Sequence, residues 1–413
     1  MPARRAALTL LQAVLWRGQA LDSALPRALR KIDGGPDRAL ARNIASLVLR
    51  WLPDLDALID DNMERLLPVD APARMVLRMA LAQALLMDTP HHAVVATALP
   101  LVEGGPRRVV HGVLGAILRE GTRLPEYPQA PNPWALRWQM SWGDEVVDAA
   151  GRALAEPPPT DLTFKGNAAP EGFAPGAISF LPGHLRIPSG GRIEELPGFA
   201  EGGWWVQDLA ASLPARLLAA KAGEHVLDVA AAPGGKTMQL AATGAHVTAL
   251  DNSGPRLERL RENMARTGLS VDVVEIDARK YQPDGLSDAV LLDTPCSATG
   301  IFRRHPDVLH LRKPTTLKEI VAVQAALLNH AAQWVKPGGR LVYSVCSLER
   351  QEGEDQLLAF LDRSPGWRIE PVPDGALPDG IAPTPEGWVR TLPGQLSAQG
   401  GLDGFFMARL TRD

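Results

Sequence analysis

The chain contains two cysteines, Cys296 and Cys346, and both directly follow short apolar runs. The first stands in Asp293-Thr-Pro-Cys296-Ser-Ala-Thr-Gly300 and the second in Tyr343-Ser-Val-Cys346-Ser347. Three further runs end on an acid, at Asp228, Asp251 and Asp277. A free cysteine is most often a small buried hydrophobe. A pair that falls only at the ends of such runs reads instead as reactive thiols, since a thiolate is the nucleophilic form.

The first run continues as Asp228-Val-Ala-Ala-Ala-Pro-Gly-Gly-Lys-Thr237. Its small residues allow close approach of a ligand, and a following helix would offer free amide groups. A phosphate-binding P-loop needs glycine where Ala230 stands, and a Gly-x-Gly-x-x-Gly fingerprint is absent. A turn holding the amino-acid end of S-adenosylmethionine fits. Asp251 would accept the two hydroxyls of a ribose, because a carboxylate offers two acceptor oxygens. Asp277 would meet an adenine edge. Each acid alone could be a helix cap; together, at successive run ends, they favour a nucleoside.

Such a cofactor beside two thiols suits methylation at C5 of cytosine. That carbon is a poor nucleophile. A thiolate adding to C6 makes C5 enamine-like, so that it can take a methyl group; the C5 proton and then the thiolate must leave. Covalent catalysis divides one hard step into easier ones. Asp293 is placed to bond the N3/N4 edge of the base as charge develops. The spacing does not settle which cysteine attacks.

These residues need a scaffold. From residue 206 onward, apolar runs at Val226–Val229, Val247–Leu250, Val271–Ile276, Ala289–Leu292 and Leu341–Val345 alternate with helix-length amphipathic segments. This predicts an α/β Rossmann-like domain over 206–413, mostly parallel and doubly wound, with its site at the carboxyl ends of the strands. Residues 1–122 read as an all-helical domain, with apolar positions three and four apart, as at Met75, Met79, Leu81 and Leu85. A Pro-rich linker is expected at 123–133. Residues 134–205 read as a small α/β module with two short helices and strands at Leu162–Lys165, Ala177–Leu181 and Leu185–Ile187.

The net charge of −4 does not announce a nucleic-acid binder, but it is unevenly spread. Residues 1–125 hold 16 Lys and Arg against 12 Asp and Glu, a net of +4, which suits contact with phosphates. Two cysteines make no disulfide framework, and no apolar stretch is long enough to span a bilayer. The first residues read as an amphipathic helix, not a leader. A cytoplasmic monomer without membrane association is expected. His91 and His92 lack a third ligand at metal-binding spacing.

The motifs Ala-Ala-Pro-Gly-Gly-Lys-Thr, Asp-Thr-Pro-Cys-Ser-Ala-Thr-Gly, the second Cys-Ser and the closing Asp403-Gly-Phe-Phe-Met-Ala408 together resemble the RNA 5-methylcytosine methyltransferases. The helical N-terminal region resembles the NusB fold. That pairing, with Arg303-Arg304-His305-Pro306-Asp307, is similar to the RsmB/Sun (Fmu) branch acting on bacterial 16S ribosomal RNA. The resemblance implies S-adenosylmethionine as cofactor, held by Ala230, Ala231, Ala232, Pro233, Gly234, Gly235, Lys236, Asp251, Arg256, Asp277 and Asp293. It implies Cys346 as nucleophile and Cys296 as the residue that helps release the product, the reverse of the order in DNA cytosine methyltransferases. It also implies a basic RNA contact at Lys165, in Phe164-Lys165-Gly166-Asn167.

The chain departs from the family in carrying Val345 where threonine is usual and Ala230 where cysteine is frequent; neither removes a group the mechanism needs. Arg303, Arg304, His305, Arg312 and Lys313 could grip phosphates around an extruded base. Trp134, Trp138, Trp204 and Trp205 would either stack bases or pack internally. A DNA enzyme would not need Cys346 and would carry a large target-recognition insertion. A non-catalytic RNA-binding or assembly factor would not need both thiols with three acids. Methylation of another RNA, such as tRNA, stays open.

Overall fold

A computed structural model describes residues 1–166, 168–190 and 192–413, so Asn167 of the Lys165 segment lies outside the described residues. The chain forms two compact units, one of residues 1–156 with 302–314, the other of 157–301 with 315–413.

The first unit is helical: α1 (Pro2–Leu15), α2 (Leu21–Leu29), α3 (Gly35–Arg50), α4 (Leu52–Asp61), α5 (Pro72–Leu86), α6 (His91–Ala98), α7 (Gly104–Glu120), α8 (Trp134–Trp142) and α9 (Asp144–Ala155). Prolines in the first turns of α1, α3, α4 and α5 start helices at no hydrogen-bond cost. α5 is buried on all sides, so it is the central helix. Its two arginines are buried with it and are neutralised by acids of α4. Arg78 pairs with both carboxylate oxygens of Asp56 at 2.7 Å, and Arg74 bonds Asp56 and Asp60.

The second unit holds two sheets. β1 (Thr160–Phe164), β2 (His184–Ile187) and β3 (Trp204–Val206) form a small antiparallel sheet in the order β2-β1-β3. It covers a core of Leu162, Phe164, Leu185, Ile187 and Trp204. The large sheet is built from α10 (Leu209–Leu218), β4 (His225–Val229), α11 (Gly235–Ala242), β5 (His246–Asp251), α12 (Gly254–Thr267), β6 (Asp272–Glu275) and β7 (Ser287–Asp293). After β7 the chain contributes residues 302–314, with α13 (Val308–Leu311), to the helical unit. It then continues as α14 (Leu317–Gln333), β8 (Val335–Val345), α15 (Glu354–Arg363), β9 (Trp367–Ile369), β10 (Val389–Thr391) and β11 (Phe405–Arg412).

The strand order is β10-β11-β8-β7-β4-β5-β6, with β9 also on β11. The five strands β6, β5, β4, β7 and β8 are parallel, and β9, β10 and β11 add antiparallel pairings. Alternate residues face opposite layers. Ala289 and Leu291 pack towards the core of α10, while Val290 and Leu292 pack towards that of α14 and α15. The chain leaves β4 towards β5 on one side, and β7 lies on the other. The crevice outside the carboxyl ends of β4 and β7 is therefore the switch point where ligands bind in such sheets.

Three details differ from the sequence expectation. The 177–181 run is not a strand; Ile178 alone bridges Arg186. Helices α8 and α9 pack in the helical unit, not with the small sheet. The Pro-rich 123–133 segment is bonded in place there: the Gln129 amide donates to Asp54 at 3.0 Å, and Gly151 is pressed so closely against Pro128 that a side chain would collide with its carbonyl.

Candidate active site

The turn after β4 is anchored by the Ala231 amide, which donates to the Leu250 carbonyl of β5 at 3.0 Å. Gly234 sits at φ +105, and a Cβ there would meet Leu260 at 3.1 Å, so glycine is required both by conformation and by space. Ala230 also takes a left-handed conformation, φ +61, at a cost of about 1–2 kcal/mol that the surrounding turn must bear. Asp251, buried at the end of β5, holds this turn from the other side. Its oxygens accept from the Ala232 amide at 3.2 Å and the Ser253 amide at 3.0 Å, and Arg256 lies 3.3 Å away. Arg256 also donates to the Ala232 carbonyl.

Beside this turn is a cleft lined by Ala230, Asp251, Arg256, Asp277, Pro295 and the apolar Ile276, Ala278, Val323 and Leu327. Ala231 through Lys236 of the expected set are not among its lining residues. Asp277 is on the rim. The guanidinium of Arg279 bonds both its oxygens, at 3.0 and 2.6 Å, and holds its carboxyl down at about 2.

One residue of this region was quoted in the sequence motif but given no role. Asp228 is buried, and its Oδ2 accepts from the Thr237 hydroxyl at 2.6 Å, while Oδ1 has no partner among the described residues. Burial pushes its carboxyl up to about 7, against the pull of the Thr237 hydrogen bond and the Lys236 ammonium. The region thus holds an apolar slot, an acid at the β5 end and, next to the glycine turn, a buried carboxylate oxygen without a partner among the described residues.

The two thiols meet. Cys296 Sγ and Cys346 Sγ are 3.3 Å apart. They do so because β7 and β8 are parallel neighbours with Asp293 opposite Ser344, so the loops leave the sheet side by side. Further bonds tie the loops together: the Thr294 amide to the Ser344 carbonyl at 3.1 Å, and the Gly300 amide to the Cys346 carbonyl at 3.0 Å. Gly300 in turn accepts from the Gly404 amide at 2.8 Å; a side chain on Gly300 would strike the Gly404 carbonyl, and one on Gly404 the Leu348 side chain.

Asp293 is bonded on both oxygens, by the Ser344 hydroxyl at 2.9 Å and by Lys236 Nζ at 2.7 Å. Burial would lower the Lys236 ammonium, but the Asp293 carboxylate and the charge of Cys346 more than offset it and keep it raised. Cys296 is different. Its contact with Cys346, then burial, then the negative charges of Cys346, Glu352 and Asp293 push its thiol well above the usual value.

Glu352 and Arg390 carried no signal in the sequence, since neither stands within the cysteine motifs or at an apolar-run end; Ser344 was quoted within the second motif but given no role. Arg390 donates to the Ser347 carbonyl at 2.6 Å while both oxygens of Glu354 clamp it.

The expected RNA contacts are scattered. Lys165 is exposed but donates to the Thr267 carbonyl at the end of α12 at 2.9 Å. Arg303, Arg304 and His305 belong to the helical unit. Arg303 is only 4% exposed, which removes it from the expected phosphate contacts. His305 lies 3.5 Å from Asp22; Arg312 and Lys313 are exposed. All four tryptophans are buried and packed, with Trp138 stacked on Phe302 and the indoles of Trp134, Trp204 and Trp205 hydrogen-bonded internally. Among the described residues no group of His, Cys, Asp and Glu is arranged to hold a metal.

A crevice at the switch point of a mostly parallel, doubly wound sheet, beside a glycine turn, is the architecture of a Rossmann-like methyltransferase. Residues 215–411 match the family described as 16S rRNA methyltransferase RsmB/F, and residues 1–123 match the NusB family. The ribosomal RNA small subunit methyltransferase B of Klebsiella pneumoniae (strain 342) is 32% identical, with 99% of this chain and 98% of that protein aligned. The protein of the same name from Citrobacter koseri is 33% identical over 99% and 98%. Among solved structures, PH0851 superposes with a TM-score of 0.79 at 24% identity, covering 100% of this chain and 99% of that one. NSun6 from Pyrococcus horikoshii, solved with SFG, superposes at 0.60 and 21% identity, covering 69% and 99%. The chain belongs to the RsmB/F family; it is an S-adenosylmethionine-dependent RNA methyltransferase.

Proposed function

We propose that this chain methylates C5 of a cytosine in 16S ribosomal RNA, with Cys346 as the covalent nucleophile. The observation that carries this reading is the thiol pair in contact at 3.3 Å, with charges arranged unequally around it. Cys346 interacts favourably with the Lys236 ammonium, whereas Cys296 faces Asp293, Glu352 and Cys346 itself. The proton is held on Cys296, which leaves Cys346 as the thiol that adds to C6.

The cofactor supplies an electrophilic methyl group. The Asp251 carboxylate and the unpaired oxygen of Asp228 would hold its ribose and ammonium, and the apolar slot its adenine. Ala230 and Gly234 shape the turn beside it, with Asp277 and Arg256 at the rim. Asp293, fixed by Lys236 and Ser344, bonds the N3/N4 edge of the cytosine and steadies the charge that builds there.

Once Cys346 is bonded to carbon it is a neutral thioether. The largest influence holding the proton on Cys296 is then gone, as is the charge of Cys346. Cys296 can ionise at that stage and take the C5 proton, which lets the Cys346 thiolate leave. The thiols therefore act in sequence.

The helical unit, with its net positive charge, would add RNA affinity, Arg304, His305, Arg312 and Lys313 being its surface candidates and Lys165 one on the other unit. Among the described residues no helix is long and apolar enough to cross a membrane. We propose separately that the protein is a cytoplasmic monomer. Bisulfite sequencing of ribosomal and transfer RNA from a strain lacking the gene tests the substrate. A 16S cytosine that loses its methyl group supports the proposal; loss confined to tRNA would redirect it, and no loss anywhere would overturn it.

A further inference from the structure

We propose that Glu352 is a positioning residue for the cysteine pair: its buried carboxylate straps the two cysteine loops to each other and so holds the two thiols in contact. The inference rests on the reading of Cys346 and Cys296 as partners in one reaction, and goes beyond it by assigning what keeps them partnered.

Glu352 is fully buried. Among the described residues, no lysine or arginine pairs with it; its charge is balanced by hydrogen bonds alone. Oε1 accepts from the Ser297 amide at 2.8 Å and from Gln324 Nε2 at 3.0 Å. Oε2 accepts from the Ser297 and Ser347 hydroxyls, both at 2.5 Å. Each oxygen thus has two donors, which uses the full acceptor capacity of a carboxylate. The donors are not scattered: Ser297 follows Cys296 and Ser347 follows Cys346. Gln324 also bonds the Pro295 carbonyl at 3.0 Å, so Cys296 is held on both sides through one hub. Thr299 and Ser347 add a hydroxyl contact at 3.2 Å between the same loops.

Oxygen count and charge both matter here. A glutamine has the same length but turns an NH₂ towards two hydroxyls that now donate. One of them, Ser347 Oγ, already accepts from the Glu349 amide at 3.0 Å and has limited freedom to reverse. The carboxylate also contributes negative charge that helps keep the proton on Cys296. Loss of that charge frees the thiol early, before Cys346 has bonded.

The test uses the full chain carrying Glu352→Gln and, separately, Ser347→Ala. Thermal melting and calorimetry with S-adenosylhomocysteine establish that each variant is folded. Alkylation by iodoacetamide is followed for each cysteine-containing peptide by mass spectrometry across pH, alongside kcat and KM for 16S RNA. For Glu352→Gln the rate of Cys296 alkylation at pH 8 should rise about tenfold, the effect of roughly one pH unit. Its kcat should fall about 100-fold, as a misplacement on the order of 1 Å does, with KM for RNA within about twofold. Ser347→Ala cuts one strap and keeps the charge; its kcat should fall while Cys296 alkylation stays as in the native chain. That variant also decides the matter if Glu352→Gln does not fold: unchanged kcat for Ser347→Ala would then overturn the proposal. Native alkylation and kcat in a folded Glu352→Gln would overturn it outright. If the native chain forms no covalent bond to RNA, the Cys346 reading fails, but the alkylation of Cys296 still decides the role of Glu352.

Discussion

Cys296 and Cys346 leave neighbouring parallel strands in the same direction, and each is followed by serine. Their surroundings are nonetheless of opposite character. The buried Glu352 carboxylate bonds both loops, but it is on the Cys296 thiol that its charge and that of Asp293 act. The Cys346 loop is held by the Arg390 cation through the Ser347 carbonyl, and its thiol interacts with the Lys236 ammonium. Two motifs that look alike along the chain thus give a proton-holding thiol and a thiol beside positive charge. Apart from Asp293, which belongs to the Cys296 motif, the difference in role is set by Lys236 of α11, Arg390 of β10 and Glu352 of the loop before α15, none of which is in either cysteine motif.

Substitutions around the two thiols should have unequal effects. The largest effect should come from Cys346→Ala, which removes the thiol on the positive side and should cost turnover roughly 10⁴-fold or more. Next is Asp293→Asn. It keeps the shape but loses the charge that binds Lys236, and kcat should fall about 10²–10³-fold with little change in RNA affinity. Steady-state methylation of an RNA fragment measures both.

Cofactor binding should respond less. Asp251→Ala removes an acceptor already committed to the turn, and calorimetry should show a loss of roughly 1.5–3 kcal/mol in affinity. Unchanged affinity in a folded variant would exclude Asp251 from the site. The smallest effect is a pH dependence. With its carboxyl raised to about 7, Asp228 carries its charge above that pH and loses it below. Cofactor affinity should therefore decline as pH falls from 8 to 6, by about tenfold per unit once below 7. Asp228→Asn should flatten the profile. For folding the sign is opposite: a carboxyl raised above its unfolded value favours the native state at low pH, and that contribution is lost as pH rises through about 7.

Much of the catalytic edge was legible in the sequence, because a parallel sheet puts its site at strand ends and each strand was a short apolar run bounded by an acid or a cysteine. Asp251, Asp277 and Asp293 stand where the runs predicted. What stayed hidden depends on long-range packing. β11 supplies Phe405, over which Lys236 sits at 5.4 Å, but Phe405–Arg412 was read only as a motif tail. Its antiparallel pairing with β8 has no local signature. Glu352 lies in a loop, and nothing near it marks a buried charge. The prolines of 123–133 suggested a linker, yet that segment is fixed against α4 and α9 by contacts that composition does not reveal. Arg303 reads as a surface cation by type, yet it is buried in the fold.

The order in which the two thiols act is tested most directly by trapping the covalent species. Cys296→Ala and Cys346→Ala are each incubated with S-adenosylmethionine and labelled RNA, then run on a denaturing gel. Cys296→Ala should stall after methyl transfer and show a slow-migrating protein–RNA band, because nothing removes the C5 proton. Cys346→Ala should show none. A band from Cys346→Ala with none from Cys296→Ala would reverse the roles, and methylation persisting in both without any band would contradict covalent catalysis altogether.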